Sequence, residues 1–468
     1  MTTATAAASH RARKRKRTSD GLDPSPYSTG KALRNGDVFT RLSLLVFGLG
    51  NLVRRQFIKG IILLALEAGI LWYFLGFSLK YLKKIGTLGT VLQTKVQDAD
   101  GFWVYKAGDN SVQILLYGVM AVFIIILFVL LACVAARSSY KAQVAVRDGE
   151  RPTTFIQDVR ALFDQRAHVG LMFLPTLGIV VFTILPLAFM ISMAFTSYDK
   201  NHVVLFKWVG LQNFAKVFSS SGSDVNAGLF LSVLVWTLVW AFFATFLNFF
   251  LGMFMAMIID RKTTHGKAFW RACFSMSIAV PQFVSLLVMR NMLQPYGAIN
   301  TLLENWGWIN SPLPWLTDTT WARVTVIVIN LWVGIPYTIM QITGILQNVP
   351  ADLYEAAELD GANWWQRFTN VTMPYIIFVM TPYLITTFTA NVNNFNVIYL
   401  LSGGDPTPVG ATAGKTDLLI TWLYKLTVDK SNYNLGAVIG IMTFIVLAVI
   451  SLITYRNSGS YKNEEGFR

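Results

Sequence analysis

Eight stretches of this chain are long and apolar enough to cross a hydrocarbon layer, and no other feature restricts its fold so strongly. They run roughly over 58–79, 112–136, 169–195, 229–259, 269–292, 323–347, 374–401 and 435–455. At a rise of about 1.5 Å per residue, a helix of each length covers a core of roughly 30 Å. No water reaches that layer, so each span must satisfy its own backbone polar groups and is expected to be helical. With 54% hydrophobic and 14% charged residues over 468 positions, the chain has more apolar surface than a soluble core of that length uses. An all-α polytopic membrane protein is the expected class.

The bases set the expected orientation. The formal net charge is +14, and in a membrane chain lysines and arginines concentrate in short loops on the cytoplasmic side. The run Arg11–Arg17, the 137–168 link (Arg137, Lys141, Arg147, Arg151, Arg160, Arg166) and the 260–271 loop (Arg261, Lys262, Lys267, Arg271) mark that side. Both termini and the 348–373 loop then fall inside, and 293–322 falls outside. The 80–111 loop disagrees, with Lys80, Lys83, Lys84, Lys95 and Lys106 on the outer side, and is treated as local scatter. Residues 1–37 have the composition of a disordered basic tail, and the short run between Arg41 and Arg55, interrupted by Gly48, Gly50 and Asn51, suits the interface.

Several chemistries lack their residues. Cys133 and Cys273 lie at apolar runs, and His10, His168, His202 and His265 are scattered, so neither a disulfide framework nor a metal site is indicated. No phosphate-binding glycine loop and no catalytic triad occur. The chain is read as a non-enzyme that binds no cofactor of its own.

One polar loop between spans stands out. It reads Glu355-Ala356-Ala357-Glu358-Leu359-Asp360-Gly361-Ala362, with Phe368 seven residues after the glycine and Pro374 six further on. Helix formers up to Asp360, a glycine able to turn the chain, and a second short segment predict a helix–turn–helix on a membrane face. Asp352, Glu355, Glu358 and Asp360 oppose only Arg367, which suits a docking surface for something basic. The pattern resembles the EAA loop of ABC importer permeases. The resemblance implies that Glu355, Ala356, Ala357, Asp360 and Gly361 form a coupling helix, in which Glu355 meets an ATP-binding subunit and Gly361 makes the turn.

In the spans, Asn391 and Asn394 are placed one turn apart on a helix and share a face. An unpartnered amide in hydrocarbon costs several kcal/mol, so that face looks either into a cavity or onto another helix. Gly334 and Pro336 are expected to loosen span six beside Tyr337. Ala279-Val280-Pro281, Tyr296–Asn300, Gly334–Tyr337, Asn391–Phe395 and Thr416–Leu419 resemble the larger permease subunit of maltose/maltodextrin importers. That likeness implies an eight-span plan with a type I six-helix core, and sugar contacts from Gly334, Tyr337, Asn391 and Asn394. Gln282 stands at a further sugar-facing position, where those subunits have serine, and Ile278 where they have tyrosine. Only 33 residues (196–228) occupy the place where the best-known enterobacterial member has a large folded domain.

The expected organisation is a basic tail (1–37), a two-helix addition with its link (38–168), a permease core (169–455) holding the coupling loop (351–374), and a tail (456–468). The resemblance implies a bacterial cytoplasmic-membrane permease subunit of an ATP-driven importer for maltose, maltodextrin or a related oligosaccharide. Its implied partners are a second permease subunit, two copies of an ATPase that carries the ATP and Mg, and an extracytoplasmic sugar-binding protein. No nucleic-acid partner is expected. Glu67, a carboxylate inside the first span, keeps open an ion-coupled secondary transporter. Gly436 and Gly440 form a small-residue pattern that permits close helix approach.

Overall fold

The structure, a computed structural model, describes residues 27–97, 100–219, 225–261 and 263–457. Among the described residues, seven helical stretches are long and apolar enough to cross a membrane: Phe57–Lys84, Ser111–Arg147, Ala167–Met193, Ala227–Asp260, Thr319–Leu346, Trp364–Leu401 and Tyr433–Arg456. A further pair, Lys267–Ala279 and Gln282–Met292, is long and apolar enough to make an eighth crossing if its halves, which meet at 85°, form one span. The expected continuous span over 269–292 is therefore broken. Pro281 brings no N–H and pushes Val280 into extended backbone (φ −82°, ψ 124°), where the helix stops.

The chain forms two compact units. The first comprises residues 1–192 with 202–208. The Arg11–Arg17 run lies outside the described residues, but the end of the expected tail is ordered. Thr29–Asn35 is a helix capped by Ser28, and its Ala32 is buried beside Ala136 and Tyr140. The short helices Val38–Leu42 and Leu49–Val53 follow, too short to cross. Phe47 between them is fully buried, and its backbone N–H donates to Glu67 Oε2 at 2.7 Å. Arg54 ties this segment to the second span through Ser139 and to Asp37 through a 2.6 Å ion pair.

A hairpin, Thr94–Gln97 paired with Trp103–Lys106, interrupts the otherwise helical fold. Three of the dissenting lysines have local partners there. Lys84 pairs with Asp109 at 2.5 Å, Lys80 lies over the Phe77 and Tyr81 rings, and Lys95 lies over Tyr105. Asp109 also accepts the N–H groups of Thr90 and Val91, closing the base of the hairpin.

The second unit comprises 193–201 and 209–468. Its core gathers Trp236, Trp240, Leu286, Val326, Val397, Ile398, Leu401 and Leu418. A second cluster joins Phe249, Met253, Ile339, Ile342, Ile376 and Met380. Glycines allow Ala227–Asp260 and Thr319–Leu346 to approach closely: a Cβ on Gly252 would meet Thr338 at 2.6 Å, and one on Gly334 would meet Asn248 at 2.4 Å. Gly436 does the same for Thr427, whose methyl would stand 2.3 Å from a Cβ there.

The loop after span seven is held from within. Asp417, fully buried, accepts from Gly414 N and Thr421 Oγ1 and pairs with Lys425 Nζ at 2.7 Å. Burial pushes the Asp417 carboxyl above its ordinary range, and the Lys425 charge pulls it back in part.

Candidate functional site

Span seven is not one continuous helix. Met373–Val392 ends where Asn393 leaves helical geometry, and Phe395–Leu401 begins after Asn394, whose backbone is extended (φ −75°, ψ 91°) and whose side chain caps Val397 N. The shared helical face expected for Asn391 and Asn394 is thus replaced by a break, which still brings the two side chains together. Asn394 Nδ2 lies 3.4 Å from Asn391 Oδ1, and Asn391 Nδ2 donates to Thr245 Oγ1 at 3.0 Å. The Asn391 carbonyl accepts Trp240 Nε1–H at 3.0 Å. The same carbonyl also accepts the Asn394 backbone N–H at 3.2 Å, so the helix end does not leave it bare inside a bilayer.

Gln282 enters the same neighbourhood from the other broken span. It opens the half-helix Gln282–Met292, and its Oε1 lies 3.5 Å from Asn396 Nδ2. Two interrupted spans therefore place Gln282, Asn391, Asn394 and Asn396 around adjacent breaks. Interrupted membrane helices lining a cavity are a recurrent way to present polar groups at membrane depth. The groups here are neutral amides, suited to hydroxyls that both donate and accept.

Gly334 is explained by packing as much as by access, because Asn248 occupies the space above it. Thr319–Leu346 is helical throughout, with Pro336 inside it, where the ring has no N–H to offer the Trp332 carbonyl. Tyr337 is half exposed, and among the described residues no hydrogen bond joins it to the asparagines. Ile278 lies half-buried just before the bend.

Thr245 and Asn248 are the polar residues that the sequence reading passed over. Both are buried in Ala227–Asp260, around a π-helical turn at Phe243–Leu247. Asn248 Oδ1 has no hydrogen-bond partner among the described residues, although its Nδ2 donates to Ala244 O. Three-residue spacing within an apolar span was the available signal. A separate cavity of about 410 Å³ is lined by Phe246, Leu384, Ile385, Phe388 and the hydroxyls of Thr381, Ser451 and Thr454, with no amide.

The polar loop takes the expected form. Ala351–Leu359 and Trp364–Arg367 are joined through Gly361, whose φ of +73° is readily open only to glycine. Asn363 and Gln366 form a reciprocal cap at 2.9 Å, Arg367 pairs with Glu358 at 3.0 Å, and Tyr354 OH meets Thr372 Oγ1 at 3.0 Å. Glu355, Ala356, Asp360 and Gly361 are exposed and Ala357 is half-buried. Leu359 is 91% exposed, with Trp364 and Trp365 exposed beside it, so an apolar and acidic surface faces outward without cover.

Residues 248–459 match the family model for the binding-protein-dependent transport system inner membrane component. The galactooligosaccharides transport system permease protein of Bacillus subtilis is 35% identical over 432 residues, covering 90% of this chain and 97% of that one. The maltodextrin transport system permease protein of Streptococcus pneumoniae serotype 4 is 34% identical over 90% of this chain and 96% of its own. Among solved structures, a bacterial ABC transporter involved in import of the acidic polysaccharide alginate superposes with a TM-score of 0.53 at 22% identity, over 64% of this chain and 96% of that one. At that identity the match speaks for the fold alone.

Proposed function

Because the chain belongs to the family of binding-protein-dependent transport system inner membrane components, we propose that it imports maltodextrin or a related neutral oligosaccharide, with ATP hydrolysed on a separate subunit. The observation that carries the substrate class is the amide cluster at the two span breaks. Asn391, Asn394, Asn396 and Gln282 offer donors and acceptors without net charge, which suits sugar hydroxyls and gives no advantage to an ion. The relatives named for maltodextrin and galactooligosaccharides support the same class.

Transport then proceeds by alternating access. An ATPase docks on the exposed surface of Glu355, Leu359, Trp364 and Trp365, and the helix pair about Gly361 transmits its closure to the spans. A second permease subunit supplies the other half of the pathway. It covers Ala167–Met193, which has no buried residue in this chain. Two ATPase copies and an extracytoplasmic binding protein complete the assembly, with both termini and the coupling loop on the cytoplasmic side. The carboxylate that would serve ion coupling, Glu67, is engaged by Phe47 N–H. Proteoliposomes holding this chain, its permease partner and the ATPase test the reading. ATP-dependent accumulation of labelled maltotriose, requiring the binding protein and indifferent to ionophores, is expected; uptake driven by an ion gradient without ATP overturns it.

A further inference from the structure

In the first unit, a small polar cavity lies at the boundary where two spans leave the apolar layer. Its volume is about 110 Å³, and its lining includes Gln56, Lys59, Ser138, Lys141, Arg151 and Asp158. Lys59 is the third residue of Phe57–Tyr73, and Lys141 lies beyond the apolar stretch of Ser111–Arg147.

The walls are fixed. Lys59, only 9% exposed, donates to Thr153 O at 2.7 Å and Thr153 Oγ1 at 3.1 Å and pairs with Asp158, so its three N–H bonds are used. Gln56 also donates to Thr153 O, and Asn51 bridges Gln56 and Ser138. Other lining groups keep donors in hand. Lys141 Nζ stands 3.8 Å from Asp158 Oδ1, an ion pair too long for a hydrogen bond, and makes no hydrogen bond among the described residues. The Ser138 hydroxyl accepts from Asn51, and its own proton has no acceptor among the described residues. Arg151 has no ion-pair partner among them. Three cations (Lys59, Lys141, Arg151) face two carboxylates (Glu150, Asp158), one of which Lys59 already engages. A topology-setting lysine needs only water; Lys141 instead stands over a preformed hollow with unspent donors. An ammonium half withdrawn from water favours an anion that accepts several charged hydrogen bonds at once.

We propose that this cavity binds a phosphate group, carried either by an anionic phospholipid headgroup or by a free phosphate. Its place at the membrane boundary matches the depth of headgroups, and basic pockets between spans are a known form of lipid recognition.

The test follows the reactivity of Lys141 in the unmutated full chain, purified in a phosphate-free nonionic detergent and labelled with an amine reagent read by peptide mass spectrometry. Short-chain phosphatidylglycerol, diacylglycerol, inorganic phosphate and chloride at matched ionic strength are added separately. Protection by phosphatidylglycerol of about tenfold, the worth of one charged hydrogen bond, without protection by diacylglycerol or inorganic phosphate, identifies the lipid source. Protection by inorganic phosphate as well identifies free phosphate. Native mass spectrometry supplies the second reading: the retained adduct is lost in Lys141→Gln and kept in Lys106→Gln. Equal labelling of Lys141 under all four conditions, or an adduct unchanged in Lys141→Gln, overturns the proposal.

Discussion

Asn391 hands its side-chain amide to the hydroxyl of Thr245, 146 positions earlier in the chain and 3.0 Å away. The bond locks one edge of the Asn391 side chain and leaves its Oδ1 facing Asn394. Asn391→Ala is expected to lower oligosaccharide uptake while membrane assembly is kept. Thr245→Val should cost less, about 0.5–1.5 kcal/mol in apparent sugar affinity, because it removes orientation and leaves the ligand's partner in place. A double-mutant cycle on uptake should show coupling between the two positions; strictly additive losses would separate Thr245 from the site.

Gly334→Ala introduces a methyl 2.4 Å from the Asn248 amide. Asn248 has to move, with a loss of roughly 1–3 kcal/mol in stability and reduced transport. Asn248→Ser should restore much of both, since it shortens the opposing side chain. Thermal unfolding of the detergent-solubilised complex checks the first part. A Gly334→Ala protein as stable as its parent argues against close packing here.

At Gly361 the constraint is torsional, because nothing lies within 4 Å of an added Cβ while φ is +73°. Alanine should therefore impair coupling most, and asparagine and aspartate, which tolerate left-handed backbone better, should impair it less. Glu355→Ala is expected to weaken ATPase co-purification by removing a charge from an interface contact, on the order of 2–5 kcal/mol if the contact is desolvated. Full uptake in Glu355→Ala and Gly361→Ala would remove the coupling role of the loop.

Glu67→Gln preserves an acceptor for Phe47 N–H and removes the ionisable group. Transport is expected to persist. Glu67→Leu, which leaves that N–H without an acceptor, should destabilise the N-terminal unit by about 1–3 kcal/mol. Abolished uptake in Glu67→Gln, with the protein intact, would return this residue to ion coupling.

The Asp417 pair predicts a pH dependence. Burial raises this carboxyl in the folded chain, against the opposing pull of Lys425, so the folded state holds its proton at higher pH than the unfolded state does. Its contribution to stability is then greatest below the unfolded value of about 3.9, falls as pH rises through the raised value, and levels above it. Thermal midpoints of the parent and Asp417→Asn, compared across the acid range, should show the parent's relative stability falling with rising pH. A rise instead would mean that the Lys425 charge dominates.

The spans were legible because apolar length is a property of contiguous residues. So was the turn at Gly361, and Pro281 carried the signal for the bend although the span was read through it. The break at Asn393 and Asn394 was not legible, since Asn391 and Asn394, three residues apart, fit a continuous polar face equally well. Thr245 and Asn248 were hidden by the phenylalanines around them; their importance comes from Asn391 and Gly334, which approach only in the folded chain. Glu67 kept an ion-coupled reading open because its partner is a backbone N–H, which no side-chain pattern announces. Three lysines of the 80–111 loop, which disagree with the orientation rule, have local partners: Lys84 is engaged by Asp109, and Lys80 and Lys95 by aromatic rings.

The third span, Ala167–Met193, has no buried residue. Packing within its own unit therefore contributes little to where this helix comes to rest, and in the assembly proposed above its remaining neighbours come from another molecule. Folding of that assembly acquires a second-order step: this helix is placed when two subunits meet in the plane of the bilayer, and the stability of the finished wall rises with how often they do.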